Sequence, residues 1–119
     1  MATLIDQDFF ARLNELNVKF AASVPATMGR LRDVRVRFAP DSPDKALVGE
    51  LHQMLHTIAG SAATFGFRVL GQQARQLEQR LRVLMAFDTV QAQDWENWMV
   101  CLDEYVAWAE TNPKADQYP

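Results

Sequence analysis

With 119 residues, 49% of them hydrophobic, the chain is long enough for one packed core and short for two. Charged residues make up 23% and the formal net charge is −3, which excludes a disordered tail and a nucleic-acid binder driven by bulk charge. One cysteine, Cys101, excludes an internal disulfide and a cysteine-rich zinc site.

No apolar run approaches the roughly 20 residues needed to cross a bilayer. The opening from Met1 to Asp6 lacks a basic stretch followed by an apolar one, so no secretory leader is expected. A cytoplasmic domain without membrane contact is the starting expectation. A pocket for a sizeable substrate would be hard to fit into so small a chain.

In chain order, the first segment spans about residues 6–39. Its apolar positions Phe9, Leu13, Leu16, Phe20, Val24, Met28, Leu31 and Val34 step by three or four, as one helix face requires. Pro25 predicts either a kink or two helices joined near Ser23. Ala39 to Pro43 reads as a loop, with Ser42 as N-cap and Pro43 as the first helical residue of the next element. That helix spans about 43–65 and buries Leu47, Leu51, Met54, Leu55, Ile58, Ala62 and Phe65. Gly66 caps it. A helix over about 67–86 turns Leu70, Ala74, Leu77, Leu81 and Leu84 inward, and a last one over about 91–111 carries Trp95, Trp98, Leu102, Tyr105 and Ala109. Residues 112–119, beyond the last helix, read as a frayed tail or linker; Trp95, Trp98 and Trp108 read as packing residues and Cys101 as a buried small one. Short connections imply antiparallel neighbours. The expected fold is all-α: an up-and-down antiparallel four-helix bundle with a kinked or additional N-terminal helix, in a single domain over 1–119.

The helix over 43–65 has an unusual outer face. His56 falls about 150° from the centre of the apolar cluster, so it faces water. Gly49, Ala59, Gly60 and Ala63 lie along or beside the same stripe, where long polar side chains are the norm. Gly60 in mid-helix costs about 1 kcal/mol relative to alanine. Either another helix packs there, or something large approaches the imidazole.

Counting from the turn at Gly66 at 1.5 Å per residue, His56, Arg75 and Glu78 lie roughly 15, 14 and 18 Å away along antiparallel axes. All three share one level. Gly71, Arg75, Glu78 and Arg82 form a stripe that can lie beside His56. A carboxylate next to an imidazole accepts the Nδ1 proton, raises the ring's basicity and leaves Nε2 free as a nucleophile. Arg75 can stabilise an anion on Nε2. The plainer alternative for Arg75 and Glu78 is a solvated face with weak ion pairing.

The segment from His56 to Gly66 resembles the signature of histidine-containing phosphotransfer (HPt) domains. His56, Ile58, Gly60, Ser61, Ala62, Phe65 and Gly66 match that pattern, and Leu70, Ala74, Leu77 and Glu78 match the helix that follows it. The resemblance is specific over about residues 47–85. It implies a phosphorelay intermediate in two-component signalling, in which the histidine takes a phosphoryl group from a receiver-domain aspartate or a histidine kinase. The group then passes to a response-regulator aspartate. The implied partners are a receiver domain and a sensor or hybrid kinase, with no nucleic acid and no membrane, and the isolated domain is expected to be a monomer. Such a protein is a phosphocarrier, not an independent catalyst. It has no cofactor of its own, and Mg²⁺ is expected on the partner receiver. Glu78 matches the residue that hydrogen-bonds the histidine ring.

The departure is Ala59, where the family usually has a lysine that balances charge on the phosphohistidine. Arg75 is the candidate substitute, with His52 one turn before His56 and Arg68 behind it. The expected access and docking surface comprises Gly60, Ala59, Ala63, Gly49 and Gln53, with Met54, Phe67 and Val69 nearby. Two rival readings stay open. One is a phosphorylation-incompetent adaptor that docks a receiver. The other is a metal- or haem-binding bundle using His52 and His56, which stand at i, i+4 with Glu78 as the available third ligand.

Overall fold

The computed structural model describes residues 4–119, with side chains from residue 7 onward. Residues 1–3, part of the opening that lacks a leader pattern, lie outside the described residues. Four helices form among the described residues: α1 (Leu4–Arg37), α2 (Lys45–Thr64), α3 (Arg68–Met85) and α4 (Ala92–Thr111). They pack as a square, α1 against α2 and α4, and α3 against α2 and α4. This is an all-α four-helix bundle.

Pro25 lies inside α1, which continues through it as one element, not as a helix pair. The proline withholds one N–H from the ladder, and Ser23 and Thr27 donate their hydroxyls to the carbonyls of Phe20 and Ser23 at 2.6 and 3.1 Å. The apolar stripe of α1 is only half used. Val24, Met28, Leu31, Val34 and Phe38 are buried, whereas Phe9 and Leu16 are 60% and 45% exposed. The reason is length: 34 residues rise about 51 Å, against about 30 Å for the 20 residues of α2. Phe20 meets the α2–α3 turn, stacking on Phe65 and Phe67 at 5.5 and 4.9 Å. Toward its N-terminus α1 outruns its neighbours.

Helix α2 starts at Lys45, two residues later than the predicted start at Pro43. Asp44, not Ser42, is the N-cap and accepts from the Ala46 N–H at 2.8 Å. A carboxylate there also faces the positive end of the helix dipole. At the other end Gly66 takes φ +82°, and the Phe67 N–H reaches the Ala62 carbonyl at 2.8 Å. This left-handed turn leaves no room for a longer loop, so α3 runs straight back along α2.

The α2–α3 seam is built on small residues. A Cβ on Gly71 would meet the Ala59 carbonyl oxygen and the Ala62 Cβ at 3.2 Å and the Ala63 nitrogen at 3.3 Å. On the far side, α4 holds α3 through two buried bonds: Trp98 Nε1 donates to the Leu77 carbonyl at 3.0 Å and Tyr105 Oη to the Leu70 carbonyl at 2.9 Å. These hold α3 near its start and at Leu77, the residue next to Glu78. Arg32 pairs with Glu110, and Arg35 with Asp103 at 3.2 Å, tying α1 to α4 on the outer surface.

Two further expectations are corrected. The segment 112–119 is tied to the bundle at particular points: Tyr118 sits edge-on to Trp108 at 5.0 Å, and Arg68 donates to the Asp116 carbonyl at 3.4 Å. The aromatic ring supplies the apolar anchor that a tail of this length needs. Cys101 is half-buried, because its place on α4 looks toward α3 and Tyr118 rather than into the centre. All three tryptophans are buried.

Candidate functional site

The rotation of α2 decides what surrounds His56. At 100° per residue, His52 and Ala59 lie about 40° and 60° to one side of His56, and Gly60 and Gln53 about 40° and 60° to the other. Helix α3 packs on the first side. The His56 side chain is accordingly 65% exposed, while that of His52 is 23% exposed. Ala59 is 2% exposed and closed over by Gly71. Its expected place on the access surface is therefore wrong: it belongs to the seam. Phe67 and Val69 are buried as well, packed under the α2–α3 turn, and Met54 is half-buried, so this apolar part of the docking surface is not exposed as expected.

The remaining surface residues, Gly49, Gln53, Gly60 and Ala63, are exposed. A Cβ added at Gly49 or at Gly60 would meet nothing within 4 Å. Helix packing does not account for these two glycines. Beside them, Gln53 donates to Thr57 at 3.4 Å. A groove of about 280 Å³ runs between α1 and α2, with Ser23, Thr27 and Arg30 on one wall and Gln53, Thr57 and Ser61 on the other. The α1 wall is an addition to the surface expected from sequence. Its signal is the run of small residues Ala21, Ala22, Ser23, Ala26, Thr27 and Gly29 inside an otherwise bulky helix.

On the α3 side stands Glu78, 4% exposed. Its Oε1 lies 2.9 Å from His56 Nδ1 and accepts from Arg82 Nη2 at 3.0 Å. His52 Nε2 is 3.4 Å from the same oxygen, yet it is buried and makes no hydrogen bond. Burial pushes the Glu78 carboxyl up, but the His56 hydrogen bond and the nearby charges of His56, His52 and Arg82 outweigh it and hold the group below its ordinary range. An ionised carboxylate only accepts, so in the neutral ring the nitrogen facing it carries the proton and the lone pair is left on His56 Nε2.

Arg75 is exposed and lines a shallow dent of about 210 Å³ with Ala59, Ala63, Gly66 and Arg68, one turn toward the hairpin from Glu78. The cation in contact with Glu78 is Arg82, one turn the other way. The spacing along α3 puts Arg82 on the right stripe but assigns it no role. Among the described residues, no group of three His, Cys, Asp or Glu side chains is arranged to hold a metal ion. No helix of the described residues is long and apolar enough to cross a membrane.

This site is an exposed imidazole with one nitrogen anchored on a buried carboxylate, on a helix face cleared of bulky side chains. No curated protein and no solved structure matches the chain. A family model does: that of the Hpt domain, over residues 11–111. Its span covers the site and reaches into all four helices, and the chain belongs to the Hpt domain family, whose members serve phosphotransfer in two-component signalling.

Proposed function

We propose that this protein is a phosphorelay intermediate and that His56 is its phosphoacceptor. The observation that carries the reading is the 2.9 Å contact between His56 Nδ1 and the buried Glu78, with Gly60 open to solvent beside the ring. The Nε2 lone pair attacks the phosphorus of an aspartyl phosphate on a receiver domain or of a phosphohistidine on a kinase. The new N–P bond forms as the P–O or P–N bond to the donor breaks, and the leaving group departs with the electron pair. Nδ1 keeps its proton on Glu78 throughout, which spreads the positive charge of the substituted ring onto the carboxylate. The reverse attack by a response-regulator aspartate returns the ring to its starting state.

Phosphoryl transfer needs in-line positioning and charge stabilisation more than covalent help from the protein. On this reading the partner receiver brings the aspartate and Mg²⁺, and the exposed face with Gly49, Gln53, Gly60 and Ala63 admits it. Arg75, exposed on the dent that Ala59 also lines, serves as the cation on the hairpin side in place of the lysine that the family usually has at position 59. The chain is then a cytoplasmic carrier and co-substrate, a monomer as an isolated domain. Mid-helix amides are already paired, so the phosphoryl group is weakly clamped, as a carrier that must release it requires.

The test is phosphotransfer from a phosphorylated receiver domain to the native chain and to His56→Gln. The expected result is one acid-labile phosphoryl group on the native chain and none on the variant. Binding of receivers without any gain across a panel would overturn the reading in favour of a docking adaptor.

A further inference from the structure

One oxygen of Glu78 is the meeting point of three nitrogens, and only two of them have hydrogen-bonding geometry. The third, His52 Nε2, is buried with no partner and lies 3.4 Å from that oxygen. A buried ring nitrogen without a partner is costly, and one that presented a lone pair to an ionised carboxylate would be worse. The favourable tautomer is Nε2–H, aimed at Oε1. A small rotation of either side chain closes the bond.

Arg82 and His52 act on the carboxylate along different directions. Arg82 sits on the carboxylate's own helix, four residues on, with its side chain 64% exposed. It draws Glu78 along α3 toward solvent. His52 stands on α2 beside His56 and draws the carboxylate across the seam. A glutamate has three rotatable bonds before its carboxylate, so the brace from α2 decides whether Oε1 stays in line with His56 Nδ1.

We propose that His52 is a positioning residue for His56: its buried Nε2 steadies Glu78 from the α2 side, which holds His56 in the Nδ1–H tautomer and keeps Nε2 open for attack. The significance for transfer rests on the reading of His56 as phosphoacceptor, but the tautomer does not.

The experiment uses the ¹⁵N-labelled full chain and long-range proton–nitrogen correlations of the imidazoles at about pH 8.5, roughly two units above the ordinary imidazole value. Four proteins are compared: wild type, His52→Leu, His52→Gln and His52→Asn. The Gln amide nitrogen reaches close to the Nε2 position, whereas the Asn amide falls short. Wild type and His52→Gln are expected to show His56 as the Nδ1–H form. His52→Leu and His52→Asn are expected to shift it toward Nε2–H, with phosphoryl gain slowed about 3–10-fold, the size of one weakened hydrogen bond.

A His56 tautomer ratio unchanged in both His52→Leu and His52→Asn overturns the proposal, as does a tautomer shift that His52→Gln shares. Should the leucine variant not fold, the Gln and Asn pair decides alone. A wild type that takes no phosphoryl group while the tautomer shift is present sinks the phosphoacceptor reading and leaves the positioning role standing.

Discussion

Gly60 and Gly71 are both helical glycines, one on each side of the α2–α3 hairpin, and the structure uses them in opposite ways. Around Gly71 three atoms of α2, two of them backbone, stand within 3.3 Å of where a Cβ would be. Around Gly60 there is nothing within 4 Å. The first glycine sets how closely α3 approaches α2, and so whether Glu78 reaches His56 at all. The second costs helix stability with no packing return inside the chain. The same residue type thus marks a seam in one place and an open face in the other.

The sharpest way to break this comparison is to fill the seam. Gly71→Val forces a branched side chain against backbone that cannot retreat, and a destabilisation of about 1–3 kcal/mol is expected from overpacking. Chemical denaturation measures it. A variant as stable as wild type would mean that the helices separate freely, and that the 2.9 Å contact at Glu78 does not depend on the seam.

Acid tests the link between seam and site. The Glu78 carboxyl is held below its ordinary value of 4.5 in the folded chain, so its contribution is present above that pH and lost as the pH falls through the lowered value. The wild type is therefore expected to lose stability more steeply than Glu78→Gln as the pH falls through and below 4.5. Thermal melts from pH 7 to pH 3 read the two slopes. Parallel slopes would show that the carboxylate gains nothing from its neighbours.

The smallest effect sharpens the open face. Gly60→Ala meets no atom, so it is expected to stabilise the chain by about 0.5–1 kcal/mol through helix propensity alone. If the face serves a docking partner, the same variant slows phosphoryl transfer while raising the melting temperature. Faster or unchanged transfer would remove the functional reason for this glycine.

Much of this site is legible in the residues themselves. The three-or-four spacing identifies the helices, the left-handed demand at Gly66 fixes a tight hairpin, and counting 1.5 Å steps from that turn places Glu78 level with His56. Those are properties of one chain segment and its own axis. Ala59 and His52 are harder to place from sequence for the complementary reason. Their angles about α2 follow from spacing, but the side from which α3 arrives does not, and that side turns an exposed stripe residue into a buried one.

Length and contact limits set the other differences. The apolar stripe of α1 has the right period from Phe9 to Val34, yet periodicity carries no information about where the neighbouring helices stop, and Phe9 has no helix beside it. The tail lacks any periodic signal, and the approach of Trp108 and its neighbours in the fold gives Tyr118 a surface to pack on. The sequence alone determined the helices, the hairpin and the shared level of His56 and Glu78, because backbone periodicity and turn chemistry act within a few residues. Tertiary structure alone decided that His52 reaches Glu78 from the neighbouring helix, because that depends on the rotation of two packed helices to within one side chain's reach.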